Sequence, residues 1–254
     1  MDQENPSIIL GDCLDVMKTL ADKSVDMILC DLPYGTTKNP WDSVIGLSEL
    51  WLLYNRIITD NGAIVLTAQT PFDKVLGASN LSMLKYEWIW QKNRVTGHLN
   101  ANYAPLKSHE NILVFSKSAA CYVKDRSHAM KYNPQKSPVD RIIRKASATK
   151  AASTNYDTKW NKSTDYDNLG LKHPTSILQF DSERGLHPTQ KPVPLFEFLI
   201  RTYTNEGDLV LDNCAGSCTT AVAAINTKRK YICIEKNPEY YAIGLERVNA
   251  RLRE

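Results

Sequence analysis

The chain has 254 residues, 43% of them hydrophobic, which is material for one large core or two small ones. No apolar run reaches the roughly eighteen residues that span a bilayer, Met1–Pro6 is acidic and polar where a signal peptide is basic and then apolar, and the six cysteines form no C-x-x-C pair, so membrane and secreted classes drop out and a reduced, cytoplasmic setting is expected. The net charge of +3 is unevenly spread: residues 91–172 hold 15 Lys+Arg against 6 Asp+Glu (+9), and the remainder 16 against 22 (−6), the footprint of a polyanion-binding insert on an acidic scaffold, with a solvated surface as the plainer alternative.

Strand and helix signals alternate from the start: a strand over Ser7–Leu10, a helix around Cys13–Leu20, a buried strand over Val25–Cys30, and a helix over Leu47–Ile58, whose apolar residues recur at helical spacing. Asn61-Gly62 is predicted to turn the chain into Ala63–Thr67, an apolar run suited to a parallel strand covered on both faces. Tyr86–Gln91 and Ile112–Ser116 read as two strands of a hairpin arm around a polar loop, Lys92–Glu110. From Cys121 to about Pro174 no regular period persists. Alternation resumes with a helix over Pro194–Tyr203, a strand over Leu209–Asp212, a helix over Thr219–Asn226, a strand over Tyr231–Glu235 and a last helix from Pro238, capped by Asn237.

Three segments carry chemistry. Asp31-Leu32-Pro33-Tyr34 follows an apolar run, and in an open α/β sheet ligands bind beyond the carboxyl ends of the strands. Pro33 holds Leu32 extended, so the Asp31 carboxylate and the Leu32 carbonyl can converge on an exocyclic amino group while Tyr34 offers a flat face for its base; an ordinary turn accounts for so short a motif equally well. Asp212 to Thr219 is a small-residue loop from strand to helix, neither G-x-G-x-x-G nor a P-loop, followed about 20 residues later by Glu235, an acid placed to accept from ribose hydroxyls. The pair implies a nucleoside-containing cofactor, with a merely structural strand-turn-helix as the plainer alternative. In His187–Pro192, Thr189 and Lys191 can hold the carboxylate end of such a cofactor, or simply frame a helix start. No histidine spacing, and no pairing of Cys214 with Cys218, suits a metal.

Taken together, these segments resemble the permuted (beta-class) DNA amino-methyltransferases of the N6-adenine/N4-cytosine family, in which the catalytic tetrapeptide comes first and the cofactor loop near the C-terminus. The resemblance runs over nearly the whole chain, through Gly11-Asp12-Cys13, Ser24–Tyr34, Ser108-His109-Glu110 with Ile112–Phe115, His187–Pro192 and Asp212–Thr220. It implies a mostly parallel, Rossmann-like methyltransferase sheet with helices on both faces: residues 1–120 as the catalytic half, 121–182 as a target-recognition insert and 183–254 as the cofactor half. It implies S-adenosyl-L-methionine as cofactor, double-stranded DNA as substrate, and methylation of adenine N6, with cytosine N4 and a DNA-binding protein of impaired turnover as alternatives. Asp31, Leu32, Pro33 and Tyr34 map onto the catalytic positions. Asp12, Thr189, Lys191, Asp212, Ala215, Gly216, Ser217, Thr219 and Glu235 map onto cofactor contacts. Lys92, Arg94, Lys107, Arg141, Arg144 and Lys145 are the expected DNA contacts. A bacterial or phage-encoded protein is expected, and the resemblance is compatible with a homodimer and with a companion restriction endonuclease. Cys218 stands where the family customarily has glycine; if the position requires a positive φ, a side chain there costs about 1 kcal/mol or more.

Overall fold

The computed structural model of the protein describes residues 7–35, 44–121, 123–144, 166–183 and 190–253. Its elements are β1 (Ser7–Leu10), α1 (Cys13–Thr19), β2 (Val25–Asp31), α2 (Leu47–Ile57), β3 (Ile58–Ala68), α3 (Phe72–Ser79), β4 (Leu84–Thr96), β5 (Lys107–Phe115), the two-residue strands β6 (Ser137–Pro138), β7 (Ile143–Arg144), β8 (Tyr166–Asp167) and β9 (Leu171–Lys172), then β10 (Ile177–Gln179), α4 (Val193–Tyr203), β11 (Leu209–Asp212), α5 (Thr219–Asn226), β12 (Lys230–Glu235) and α6 (Pro238–Leu252). Among the described residues no helix is long and apolar enough to cross a membrane.

The chain divides into two compact units, Met1–Asn133 with Ser176–Glu254, and Pro134–Thr175. The first is built on an eight-stranded sheet of order β1-β12-β11-β2-β3-β5-β4-β10. It is parallel except where β5 runs antiparallel between β3 and β4. Side-chain alternation along β2 explains why both faces are covered. Met27 and Leu29 join α4, α5 and the Trp88–Trp90 stretch in one core, while Ile28 and Cys30 join α1, α2 and α3 in the other. The permuted order has a physical signature. β1 pairs in parallel with β12, and α6, which follows β12, packs on β1.

Three expectations change. Asn61-Gly62 is not a turn but an irregularity inside one long strand: Ile58 pairs with Val25 and Ala63 with Met27. A Cβ at Gly62 would come within 2.7 Å of the Asp26 carbonyl, so only glycine lets the two backbones approach there. Both ends of the polar stretch Lys92–Glu110 are strand, because the hairpin partners β4 and β5 extend as far as Thr96 opposite Lys107, and the loop is confined to residues 97–106. The polar region after Cys121 holds short strands, and β10 adds to the sheet edge beside β4.

The second unit is closed by two short ladders, β6 with β9 and β7 with β8. Asn168 orders its turn, accepting from the Ile142 and Gly170 amides and donating to the Asp140 carbonyl.

Candidate active site

β2 lies between β11 and β3, so the carboxyl ends of the strands bring Asp31, Asp212 and Thr67 to one edge of the sheet. Asp31 and Thr67 are paired in register, and the Thr67 hydroxyl donates to Asp31 Oδ1. The Tyr34 hydroxyl also donates to Oδ1, at 2.6 Å, and its ring stacks on Phe72 with centroids 5.4 Å apart. Burial, reinforced by the charges of Asp31 and Glu110, pushes the Tyr34 phenol well above its usual range, so it stays a donor. Lys191 Nζ pairs with Asp31 Oδ2. Leu32, which follows, is buried.

Lys191 is only 6% exposed and also faces Glu110 Oε2 at 3.5 Å. Burial opposes its charge, but the Asp31 and Glu110 carboxylates outweigh it and hold the ammonium above its ordinary range. Glu110, on β5, accepts through Oε1 from Lys92 Nζ and from Gln69 Nε2, while Oε2 makes no hydrogen bond among the described residues. Lys92 lies over the Trp90 ring, and Trp90 in turn donates to the Phe180 carbonyl.

The loop after β11 is fixed from within. Asp212 accepts from the Cys214 amide at 3.1 Å and from the Thr220 hydroxyl, and burial raises its carboxyl from 3.8 to about 6 in spite of those donors. Asn213 accepts from the buried Tyr54 hydroxyl at 2.5 Å. Gly216 and Cys218 both adopt left-handed backbone, with φ of +49° and +58°. Cys218 therefore does occupy a position that favours glycine, and the fold accommodates its side chain through a second glycine. A Cβ at Gly244 of α6 would run into Cys218 Sγ and lie 3.2 Å from its Cβ. Ala215 is anchored by its amide to the Ile234 carbonyl. Arg247 Nη1 clamps the rest of the loop, donating to the Ser217 carbonyl and to the Ser217 and Thr219 hydroxyls at 3.0–3.2 Å.

At the end of β12, Glu235 is held by two backbone amides: Oε2 accepts from Gly216 and Oε1 from Asn237, each at 2.7 Å. Asp12 caps α1 by accepting from the Leu14 amide, and Lys236, 2.9 Å away, holds its carboxyl below the usual range. A cleft of about 1050 Å³ is lined from one end by Asp12, Ala215, Gly216 and Glu235 and from the other by Asp31, Tyr34, Glu110 and Lys191.

The structure thus gathers Asp12, Asp31, Leu32, Pro33, Tyr34, Lys191, Asp212, Ala215, Gly216, Ser217, Thr219 and Glu235 around one cleft. Thr189 and Lys145 lie outside the described residues. Among the expected DNA contacts, Lys92 is engaged by Glu110 within the cleft wall, Arg94 is exposed at its margin, and Lys107 is exposed with Nζ 3.5 Å from Gln69 Oε1. Arg141 is bound by both oxygens of Asp167, and Arg144 is exposed on β7. Sequence reasoning missed Thr67, Gln69, Arg247, Gly244 and the role of Glu110. Only Glu110 left a signal, as a charged residue leading into an apolar strand.

The family model for N6/N4 DNA methylases matches residues 25–246. The DNA adenine methyltransferase YhdJ of Escherichia coli (strain K12) is 31% identical over 265 residues, covering 97% of this chain and 83% of the relative. The type II methyltransferase M2.MboI of Moraxella bovis is 25% identical over 272 residues, covering 97% and 88%. The cytosine-N4-specific PvuII DNA methyltransferase has the same fold at 17% identity, with a TM-score of 0.67 over 98% of this chain and 92% of that one. The M1.HpyAVI–SAM complex matches at 24% identity, with a TM-score of 0.61 over 95% and 98%. With the tetrapeptide starting at the last residue of β2, the glycine-bearing loop after β11 and the acid ending β12 in one cleft, and with a match over most of its length, the chain belongs to the N6/N4 DNA methylase family.

Proposed function

We propose that the protein is a site-specific DNA methyltransferase that moves a methyl group from S-adenosylmethionine to N6 of adenine in double-stranded DNA. The observation that carries this reading is the Asp31 carboxylate, set in the same cleft as Glu235 and held, among the described residues, by three donors: Tyr34, Thr67 and Lys191. A carboxylate so charged with hydrogen bonds is an acceptor waiting for an N–H. Asp31 and the Leu32 carbonyl are assigned the two amine hydrogens, drawing the nitrogen toward tetrahedral geometry and freeing its lone pair. Tyr34, backed by Phe72, is assigned the stacking face for a base turned out of the helix.

The cofactor end fits its ligand on chemical grounds. Each oxygen of Glu235 accepts one backbone amide and retains capacity for a ribose hydroxyl, and the left-handed Gly216 lets the backbone run close beside it. The bound sulfonium supplies an electrophilic methyl group, and the chain supplies orientation. Aspartate at the first position of the tetrapeptide favours adenine over cytosine, and the adenine methyltransferase relative agrees with that preference.

Incubation with unmethylated duplex DNA and S-adenosylmethionine, followed by mass spectrometry of the nucleosides, is expected to yield N6-methyladenine, and Asp31→Ala is expected to yield none while binding the cofactor with little change. N4-methylcytosine alone would overturn the choice of base. No methylated nucleoside from the wild type would overturn the transferase reading.

A further inference from the structure

Resting on that reading, we infer that Lys191 reads the flipped base, donating a hydrogen bond to the ring nitrogen next to the target amino group, rather than holding the carboxylate end of the cofactor. Three observations meet on this side chain. Its Nζ pairs with Asp31 Oδ2, the carboxylate assigned to the amino group, and lies 5.8 Å from the centroid of the Tyr34 ring, the face assigned to the base. Its partners on the other side, Glu110 and through it Lys92 and Gln69, belong to β5, β4 and the residue that follows β3, not to the loop after β11. Only its backbone carbonyl turns toward the cofactor half, accepting from Thr219 Oγ1 at 3.5 Å.

Donor counting gives the rest. An ammonium has three hydrogens: Asp31 takes one, and the Glu110 carboxylate, 3.5 Å from Nζ, draws a second toward it as an ion pair without a formed hydrogen bond. The third has no acceptor among the described residues. An amino-bearing base needs such a donor: adenine N1 and cytosine N3 are acceptors that lose water when the base enters the cleft, and a buried acceptor left unpaired is costly. Guanine and thymine carry N–H at the corresponding ring position, which would point at a fixed ammonium. One side chain thereby joins amine capture at Asp31 to selection for bases that possess the amine. The protonated state required is the one its two carboxylate neighbours favour. Glu110 Oε2, buried and without a hydrogen bond among the described residues, is the positioning group that keeps Nζ from collapsing fully onto Asp31.

The test compares target adenine with 1-deazaadenine, which lacks the ring nitrogen, and with 7-deazaadenine, which keeps it, in single-turnover methylation of a duplex whose site comes from methylation-aware sequencing. The wild type is expected to lose about 10-fold to 100-fold on 1-deazaadenine and little on 7-deazaadenine, the effect of removing one charge-assisted hydrogen bond. Lys191→Met is expected to be slower on adenine but nearly indifferent to the deaza change, with S-adenosylmethionine affinity kept, and Lys191→Arg to restore part of the discrimination. A wild type indifferent to 1-deazaadenine overturns the inference without recourse to any variant. So does a Lys191→Met protein that keeps the full discrimination but binds cofactor poorly. If the product proves to be N4-methylcytosine, 3-deazacytosine takes the place of the purine analogue; if no DNA is methylated at all, the reading under the inference falls with it.

Discussion

Cys218 shows how a single residue that breaks a local rule is absorbed. Its left-handed backbone would favour glycine, and its thiol fills the space that a side chain at residue 244 would need. Gly244→Ala is therefore expected to destabilise the protein by about 1–3 kcal/mol, as overpacking does, and Cys218→Gly to abolish that cost in the double variant; denaturant midpoints of the four proteins measure the coupling. Equal midpoints for wild type and Gly244→Ala would mean that the helix shifts to make room. Asp212 offers a second residue-level test. Its carboxyl is raised from 3.8 to about 6 by burial, so the folded state holds the proton more tightly than the unfolded chain. That contribution is complete below about pH 4 and is lost as pH rises through 6, a change on the order of 2–3 kcal/mol. Asp212→Asn stays neutral throughout, so its Tm relative to wild type should rise from pH 4 to pH 7, and a constant difference would show that Asp212 titrates normally.

Strand ends are the elements that make the site, and Glu235 illustrates why. Its two amide donors come from the β11–α5 loop and from the residue capping α6, so the end of β12 and the cofactor loop are fixed as one piece. Glu235→Gln should keep one of those acceptors and weaken S-adenosylmethionine binding about 10-fold or more in calorimetry, with the melting temperature little changed; an unchanged affinity would remove this residue from the cofactor site. Elements of this kind were legible in the sequence because an apolar run, a small-residue loop and a capped helix each have a local physical cause. Val25–Cys30, Leu209–Asp212 and the Asn237 cap needed nothing from the rest of the chain. What escaped depends on distant partners. β10 has three residues and is a strand only because β4 pairs with it, and α3, eight residues with Gly77 inside, is too short for its period to stand out. Asn61-Gly62 carries a turn signal that the pairing of β2 with β3 overrides. In the site, likewise, Asp31 and Glu235 announce themselves by position in a motif, whereas Thr67 acquires its role only through its register opposite Asp31, and Arg247 and Gly244 through the packing of α6 on the loop.

For the whole molecule the governing feature is its divided charge, +9 over residues 91–172 against −6 elsewhere. With DNA as the substrate, that stretch attracts the phosphates while the rest of the chain carries a net negative charge, and binding should weaken with salt by close to 0.9 units of log K per unit of log salt for each phosphate neutralised. The cations are not equivalent in this respect. Lys92 is spent on Glu110 inside the cleft wall and Arg141 on Asp167, whereas Arg94, Lys107 and Arg144 are exposed. Replacing Arg94, Lys107 and Arg144 together by alanine should lower the slope by about 2–3 and weaken cognate and non-cognate duplexes alike, because phosphate contacts carry no sequence information. Lys92→Ala should leave the slope alone and slow methyl transfer instead, since it removes one of the two donors to Glu110 Oε1 and loosens Lys191 beside Asp31. Salt titrations of the three proteins on both duplexes separate the two kinds of cation. A slope that falls for Lys92→Ala and holds for the triple variant would reverse the assignment, making the cleft wall the phosphate-binding surface and the outer residues a solvated face.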